Sequence, residues 1–451
     1  MLGPSIEVRM RRGKAFREKV SRASQSDWAA PADRPDVIET LQRSDRGRVP
    51  ELLPIRYGRM RQSAFAFFRG SAAVMAWDLS RTPTTGIRVQ ACGDCHAANF
   101  GGFASPERRL LFDINDFDET LPAPWEWDVK RLAASVVLAS RELGMGGGRC
   151  DDAVLDMAES YRQHMREYAE MRALEVWYSR MDAEVFIDEA KTAVARKRWQ
   201  EVEQEARLQT AEHIFPKIAD VVNGRTRIVD HPPLVYHPRS SELIRKHVTQ
   251  MFHRYRETLP ADRRLILDRY HIVDVARKVV GVGSVGTRCA VALLMASEHD
   301  PMLLQFKEAL PSALEPYAGK SRYANHGERV VIGQRMLQSA SDVFLGWTCD
   351  DQGRAYYFRQ LRDMKMKIDL ANMTKGDWHE YVEICGWTLA RAHARTGDAA
   401  LIGGYLGTND AFGTALSKFA ASYADQAERD HATLVKAIRA GRLKARNMTA
   451  G

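Results

Sequence analysis

Two acidic segments and a distant glycine turn constrain this chain more than its composition does. The first segment, Cys92-Gly-Asp-Cys-His-Ala-Ala-Asn-Phe-Gly101, sets an Asp and an Asn five residues apart. The second, Phe112-Asp-Ile-Asn-Asp-Phe-Asp118, delivers further carboxylates about two dozen residues later. The glycine turn, Gly281-Val-Gly-Ser-Val-Gly286, and a lysine set in an apolar strand, Lys307, come far downstream. If these parts belong to one site, the fold must bring residues 92–118 and 281–307 together across a long helical stretch.

Phosphoryl transfer needs parts of this kind. It asks for a carboxylate that orients and deprotonates an acceptor, and for oxygen ligands that hold Mg2+ against phosphates. Asp94 is the candidate base, with His96 bracing its loop. Asn99 and Asp116 are candidate metal ligands, and Asp118 a further one. Any one of these Asp residues alone reads more simply as a turn or helix cap. The same loop matches the CxxCH pattern of haem attachment and offers half of a zinc site. The first requires an export signal and the second a nearby Cys/His pair, and neither is evident in the sequence.

Gly281, Gly283, Ser284 and Gly286 lie between two stretches that read as strands. In a dinucleotide-binding fold this pattern opens a helix; between strands it is the lid that a kinase lays over ATP phosphates. Leu303, Gln305 and Lys307 share one face of the following strand, and a lysine there is unusual unless its charge has a task. The expected task is to hold the nucleotide phosphates, with Glu328 as its carboxylate partner. Asp128, at the start of a helix, is placed to accept backbone hydrogen bonds from the Asp94 loop.

The remaining elements follow from periodicity. Helices are expected over residues 59–78, 125–144, 188–209, 329–341, 377–395 and 411–440, with residues 151–268 largely helical. Strands are expected over 87–91, 109–114 and 302–308, with 92–101 a loop, and a hairpin over 343–348 and 355–361. The basic, polar residues 1–50 read as a solvated arm. The six cysteines are few for 451 residues and suggest a reducing, cytoplasmic setting without disulfides. The net charge of +8 fits an anionic ligand as well as a generic basic surface. With no basic stripe interleaved with aromatics, nucleic acid is not the expected partner, and no apolar run suggests a membrane span.

Two resemblances follow. The residues from Cys92 to Asn99, with Ile114-Asn-Asp-Phe-Asp118, resemble the catalytic loop of the aminoglycoside and choline kinase group, His-Gly-Asp-x-His-x-x-Asn followed by Ile-Asp-x-Asp. Asp94, His96, Asn99, Asp116 and Asp118 match by position, while Cys92 stands where the first His is usual. Over most of its length the chain also resembles the bacterial domain-of-unknown-function family 2252, through Arg69-Gly70, Gly93-Asp94, residues 115–120, Trp125-Glu-Trp-Asp128, Gly281–Gly286, residues 307–309, Gly333-Gln-Arg335, Arg359-Gln360 and Ala392-His-Ala394.

The kinase resemblance implies an α+β, two-lobed protein kinase-like fold, but the order of parts implies circular permutation. Residues 1–150 would carry the catalytic loop and acidic cluster, 151–270 a helical region completing the large lobe, 271–362 the strand-rich small lobe, and 363–451 further large-lobe helices. A rival order takes His393-Ala-Arg-Thr-Gly-Asp398 as the catalytic loop, but it lacks an Asn at the right offset and a following acidic strand. The expected activity is ATP- and Mg2+-dependent phosphoryl transfer to a small hydroxyl or amine acceptor. Transfer of AMP is one alternative, and a nucleotide-binding pseudokinase or interaction module is another.

Overall fold

The computed structural model describes residues 3–188, 193–222, 224–238, 241–361, 364 and 366–446. It combines helices and sheets in an α+β arrangement. At its centre runs the helix Trp125–Glu142, sixteen of whose eighteen residues are buried. A helix that is apolar all round belongs inside a core, yet this one carries Glu126, Asp128, Lys130 and Arg131. Each has a partner nearby, although Glu126 Oε2 has none among the described residues. Glu126 accepts from Thr85 N and Oγ1 at 2.7 and 2.6 Å, and Lys130 lies 5.0 Å from the Phe419 ring centroid. Asp128 and Arg131 turn toward the loop after residue 91. The helices Gly147–Glu170, Lys375–Thr396 and Ala411–Arg439 surround it and share its hydrophobic core.

A six-stranded antiparallel sheet forms the second part. Its spatial order is Gly346–Cys349, Ala355–Gln360, Asp300–Glu308, Cys289–Ser297, His271–Lys278 and Val235–Tyr236. Alternation along the strands serves two faces. Ala292, Leu294, Leu304, Phe306 and Phe358 pack on Val248, Met251 and Tyr255 of the helix Ser241–Glu257. Gln305 and Lys307 take the opposite face, in register with Arg359 and Tyr357. Smaller antiparallel pairings join Arg88–Ala91 to Leu121–Pro124, and Phe100–Ala104 to Leu110–Ile114.

Several expectations need correction. Residues 59–78 form three short helices ending at Met60, Arg69 and Leu79, because Ser63 caps a new helix and Gly70 lies against Met60. The stretch 92–101 is not loop throughout, since a strand starts at Phe100. Residues 151–268 contain three strands, Ala219–Val222, Arg225–Ile228 and Val235–Tyr236. The charged helix runs over Ala193–Arg207, and residues 189–192 lie outside the described ones. Residues 5–49 are not a solvated arm. Ile6–Ala15 is a helix seated on Ala399–Leu406 so closely that a Cβ on Gly13 would lie 2.1 Å from Leu401 O. Arg17 and Arg22 donate to the carbonyls of Gly404, Tyr405 and Leu406, where the helix Ala399–Leu406 ends. Arg34 bridges the buried Asp78 and Asp430 through four hydrogen bonds of 2.7–2.9 Å. No described helix is long and apolar enough to cross a membrane.

One buried ion pair ties the helix Lys375–Thr396 to the strand Leu110–Ile114. Arg391 Nη2 donates to Asp113 Oδ1 at 2.6 Å, with both side chains fully buried. Removing one partner strands a charge in the core. Arg391→Met is therefore expected to cost about 3–5 kcal/mol in denaturant unfolding, whereas the double variant Arg391→Met/Asp113→Leu recovers part of that loss.

Candidate functional site

The loop that carries Asp94 is held from three sides. Asp128 accepts from Cys92 N at 2.6 Å and from Gly93 N at 2.9 Å. His393 Nε2 lies 3.3 Å from Asp128 Oδ2, and its Nδ1 lies 2.8 Å from Tyr161 Oη. With the tyrosine donating to Nδ1, Nε2–H is left to donate to the carboxylate. This buried line runs through three helices into the backbone of the loop. On its other sides the loop gives Ala97 N to Ser135 Oγ at 2.9 Å, and Ala97 O accepts from Tyr381 at 2.5 Å. Gly93 sits at φ +86°, and a Cβ there would lie 2.3 Å from Glu119 O, so the position admits glycine alone.

Asp94 is partly open, with its side chain 20 % exposed, and is ion-paired to Arg131, whose Nε lies 2.6 Å away. Burial pushes its carboxyl above the ordinary range, and Arg131 offsets only part of that. His96 Nε2 is 4.0 Å from Asp94 Oδ2. Burial, with Arg69 and Arg131 nearby, holds the imidazole well below its usual pKa and therefore neutral. Its buried Nδ1 has no hydrogen-bond partner among the described residues. Asn99 spends its Nδ2 on Asp94 O at 2.7 Å, leaving its side-chain oxygen as an acceptor. Among the described residues the Asp116 carboxylate accepts only the 3.3 Å contact from Asp118 N.

Lys307 enters from the sheet. It is 3 % exposed, ion-paired to Asp118 Oδ2, and donates to Ser284 Oγ at 2.7 Å. Ser284 in turn donates to Asp118 at 3.1 Å, and Tyr357 to the other carboxylate oxygen at 2.9 Å. Burial works against both charges. Asp116 and Asp118 nonetheless keep Lys307 protonated above its normal range, and Lys307 holds Asp118 below its own. Glu328 does not pair with Lys307. It sits in the first turn of His326–Leu337, where its backbone N–H meets the Asn325 cap at 3.2 Å. The next residue, Arg329, reaches the acidic loop instead, donating to Asp118 O and Thr120 O at 2.7 Å each.

The glycine turn joins Lys278 to Cys289, with Gly281 and Gly286 at positive φ. Arg48 clamps it, donating to Gly283 O at 2.7 Å and Val285 O at 2.6 Å. Between turn and loop lies a cavity of about 540 Å3, lined by Asp94, His96, Asn99, Asp116, Asp118 and, across from them, Gly281, Gly283 and Ser284. Three of the expected parts lie outside this lining: Gly286 lies at the end of the turn, Lys307 meets the lining through Asp118 and Ser284, and Glu328 stands away from it. The donor set suits an ion that takes few protein ligands. Among the described residues no three His, Cys, Asp or Glu side chains converge as a metal centre. Asn99 and Asp116 offer oxygens of the kind Mg2+ accepts alongside phosphate and water, while Asp118 is occupied by Lys307.

The cysteine pattern of the loop is used for packing. Cys92 and Cys95 belong to the core, and Cys92 Sγ donates to Asp116 O at 3.4 Å. The rival loop at residue 393 dissolves too, because Asp398 caps the helix Ala399–Leu406 and pairs with Arg9. Arg131, Tyr357 and Arg329 were not anticipated. Arg131 had a signal: it lies three residues after Asp128 on one helix face.

Gly93→Ala is expected to cost about 1–3 kcal/mol through its backbone conformation alone, and more through the contact with Glu119. Chemical denaturation measures the loss. Faster amide exchange at Cys92 and Gly93 would locate it in the loop.

No curated protein and no solved structure matches the chain. Residues 48–437 match the family described as an uncharacterized protein conserved in bacteria, DUF2252, a span that takes in the loop, the acidic cluster, the glycine turn and Lys307. The chain belongs to that family.

Proposed function

We propose that this protein is an ATP- and Mg2+-dependent phosphotransferase with kinase-like lobes in permuted order, acting on a small hydroxyl or amine acceptor. The observation that carries the reading is the single cavity bounded by Asp94, Asn99 and Asp116 on one side and by the Gly281–Gly286 turn on the other. Nothing in their positions along the chain requires these segments to meet. The permuted order finds support in the helix Lys375–Thr396. Its end lies beside the strand that leads into the Asp94 loop, with Thr396 Oγ1 accepting from Gln90 N at 3.2 Å.

In this reading Mg-ATP supplies the transferable phosphoryl group and the charge neutralisation that transfer needs. The chain's own residues do the positioning. Asp94 takes the proton from the acceptor, with its orientation set by Arg131 and by the clamped loop. Asn99 and Asp116 would hold the ion. Lys307, released from Asp118, would hold nucleotide phosphates beneath the glycine turn. Asp118 is thus the lysine's counter-ion, sparing the buried charge from standing unpaired.

The test is mass-resolved: a metabolite pool is incubated with Mg-ATP, and products are sought that gain one phosphoryl group. Asp94→Asn should lower that turnover by about a hundredfold or more while Mg-ATP still binds. Full turnover by this variant, or products gaining an adenylyl group, would overturn the assignment.

The pH dependence has a definite sign. A base works only when deprotonated, and burial raises the Asp94 carboxyl. The acid limb of the rate profile should therefore lie above the ordinary aspartate range. Arg131→Gln removes the charge that favours the ionised form and should move that limb to still higher pH. An unmoved limb would assign it to another group.

A further inference from the structure

Among the described residues, one cation lining the cavity has a guanidinium that no hydrogen bond or ion pair reaches. Five basic residues line it: Arg43, Arg48, Arg56, Arg69 and His96. His96 is neutral and Arg43 is exposed. Arg48 is spent on the glycine turn, and Arg56 on Asp45 and Gly70 O. Arg69 is different. Its Nε is buried without a partner, and among the described residues no hydrogen bond or ion pair reaches its guanidinium. It lies 5.9 Å over the Phe65 ring, and burial lowers its pKa despite Asp94, Glu142 and Asp116 nearby.

Its backbone is fixed on both sides. Phe68 O accepts from Arg131 at 3.0 Å, and Gly70 O from Arg56 at 2.9 Å. The Arg69 carbonyl also abuts the turn, only 3.0 Å from where a Cβ on Gly283 would stand. A planar guanidinium held ready beside two carboxylates and a glycine turn, with its hydrogen bonds unused, matches an oxyanion that presents two oxygens at once.

We propose that Arg69 receives a phosphate oxyanion bound in this cavity between Asp94, Asp116 and the glycine turn. The inference rests on the phosphotransferase reading only for the source of that phosphate. The terminal phosphate of the nucleotide is one source, and a phosphate carried by the acceptor is the other.

Calorimetry on the full chain separates them, with Mg-AMP-PNP, Mg-ADP, and orthophosphate added over Mg-ADP or alone as probes. If the nucleotide supplies the oxyanion, Arg69→Met weakens Mg-AMP-PNP by about tenfold or more and changes Mg-ADP by less than about twofold. If the acceptor supplies it, both nucleotides bind as before and orthophosphate binding over Mg-ADP is lost. Wild-type protein that binds orthophosphate through Arg69 but neither nucleotide would sink the phosphotransferase reading and leave the oxyanion site standing. Arg69→Met that binds every probe as the wild type does would overturn the proposal, as would a wild type that binds none of them. Should Arg69→Met lose its thermal midpoint, Arg69→Lys carries the test, since it keeps the charge and loses the fork. A several-fold weakening of the same probe supports the site, and unchanged affinity removes it.

Discussion

The ion pair between Lys307 and Asp118 is the contact on which the arrangement of the molecule turns. Lys307 is the one lysine of the buried strand Asp300–Glu308 and Asp118 the end of the acidic segment, 189 residues apart in sequence. Neither charge could be buried alone at tolerable cost. Tyr357 and Ser284 complete the carboxylate's hydrogen bonds, so the strand, its neighbour and the glycine turn all meet on one side chain. The sheet is thereby anchored to the acidic segment by chemistry that demands a partner, and the cavity forms where the two surfaces face each other.

Around that anchor, rigidity comes from buried polar groups. Apolar packing excludes water from the helix Trp125–Glu142, but it does not specify how the loop before it should run. Asp128 and Arg131 do, one through the backbone of residues 92 and 93 and the other through Asp94. Their neighbours Glu126 and Lys130 fix the same helix from its opposite side. A helix of this burial with four ionisable residues, each held by a partner, is specified far more tightly than an apolar one would be.

Much of this was legible in the sequence. The central helix, the strand of Lys307 with its alternation and the hairpin beyond it all follow from periodicity. Asp128 was legible as a brace because a carboxylate at a helix start faces the preceding loop. What was not legible depended on contacts made across the chain. Lys307 chose Asp118 over Glu328 because strand register decides which carboxylate lies within reach, and spacing along a helix carries no such information. Arg9, Arg17, Arg22 and Arg34 looked solvated because they reach carbonyls and acids of residues 398–430, hundreds of positions away. The break in residues 59–78 is set by Ser63 and by Gly70 against Met60, and hydrophobic spacing runs through it unmarked.

The line from Tyr161 through His393 to Asp128 has a kinetic side. His393 and Asp128 are 265 residues apart, and Tyr381 reaches Ala97 across 284. Contacts of such separation close large loops before they are rewarded. The nascent loop at residue 94 therefore has its strand and its helix early, yet waits for residues 375–396 before its backbone is held. Until that helix docks, a translated fragment can collapse and bury its apolar residues while its acidic loop remains without a settled shape. In this molecule the backbone of the candidate loop is held by a helix made late, and the cavity it lines depends on that helix.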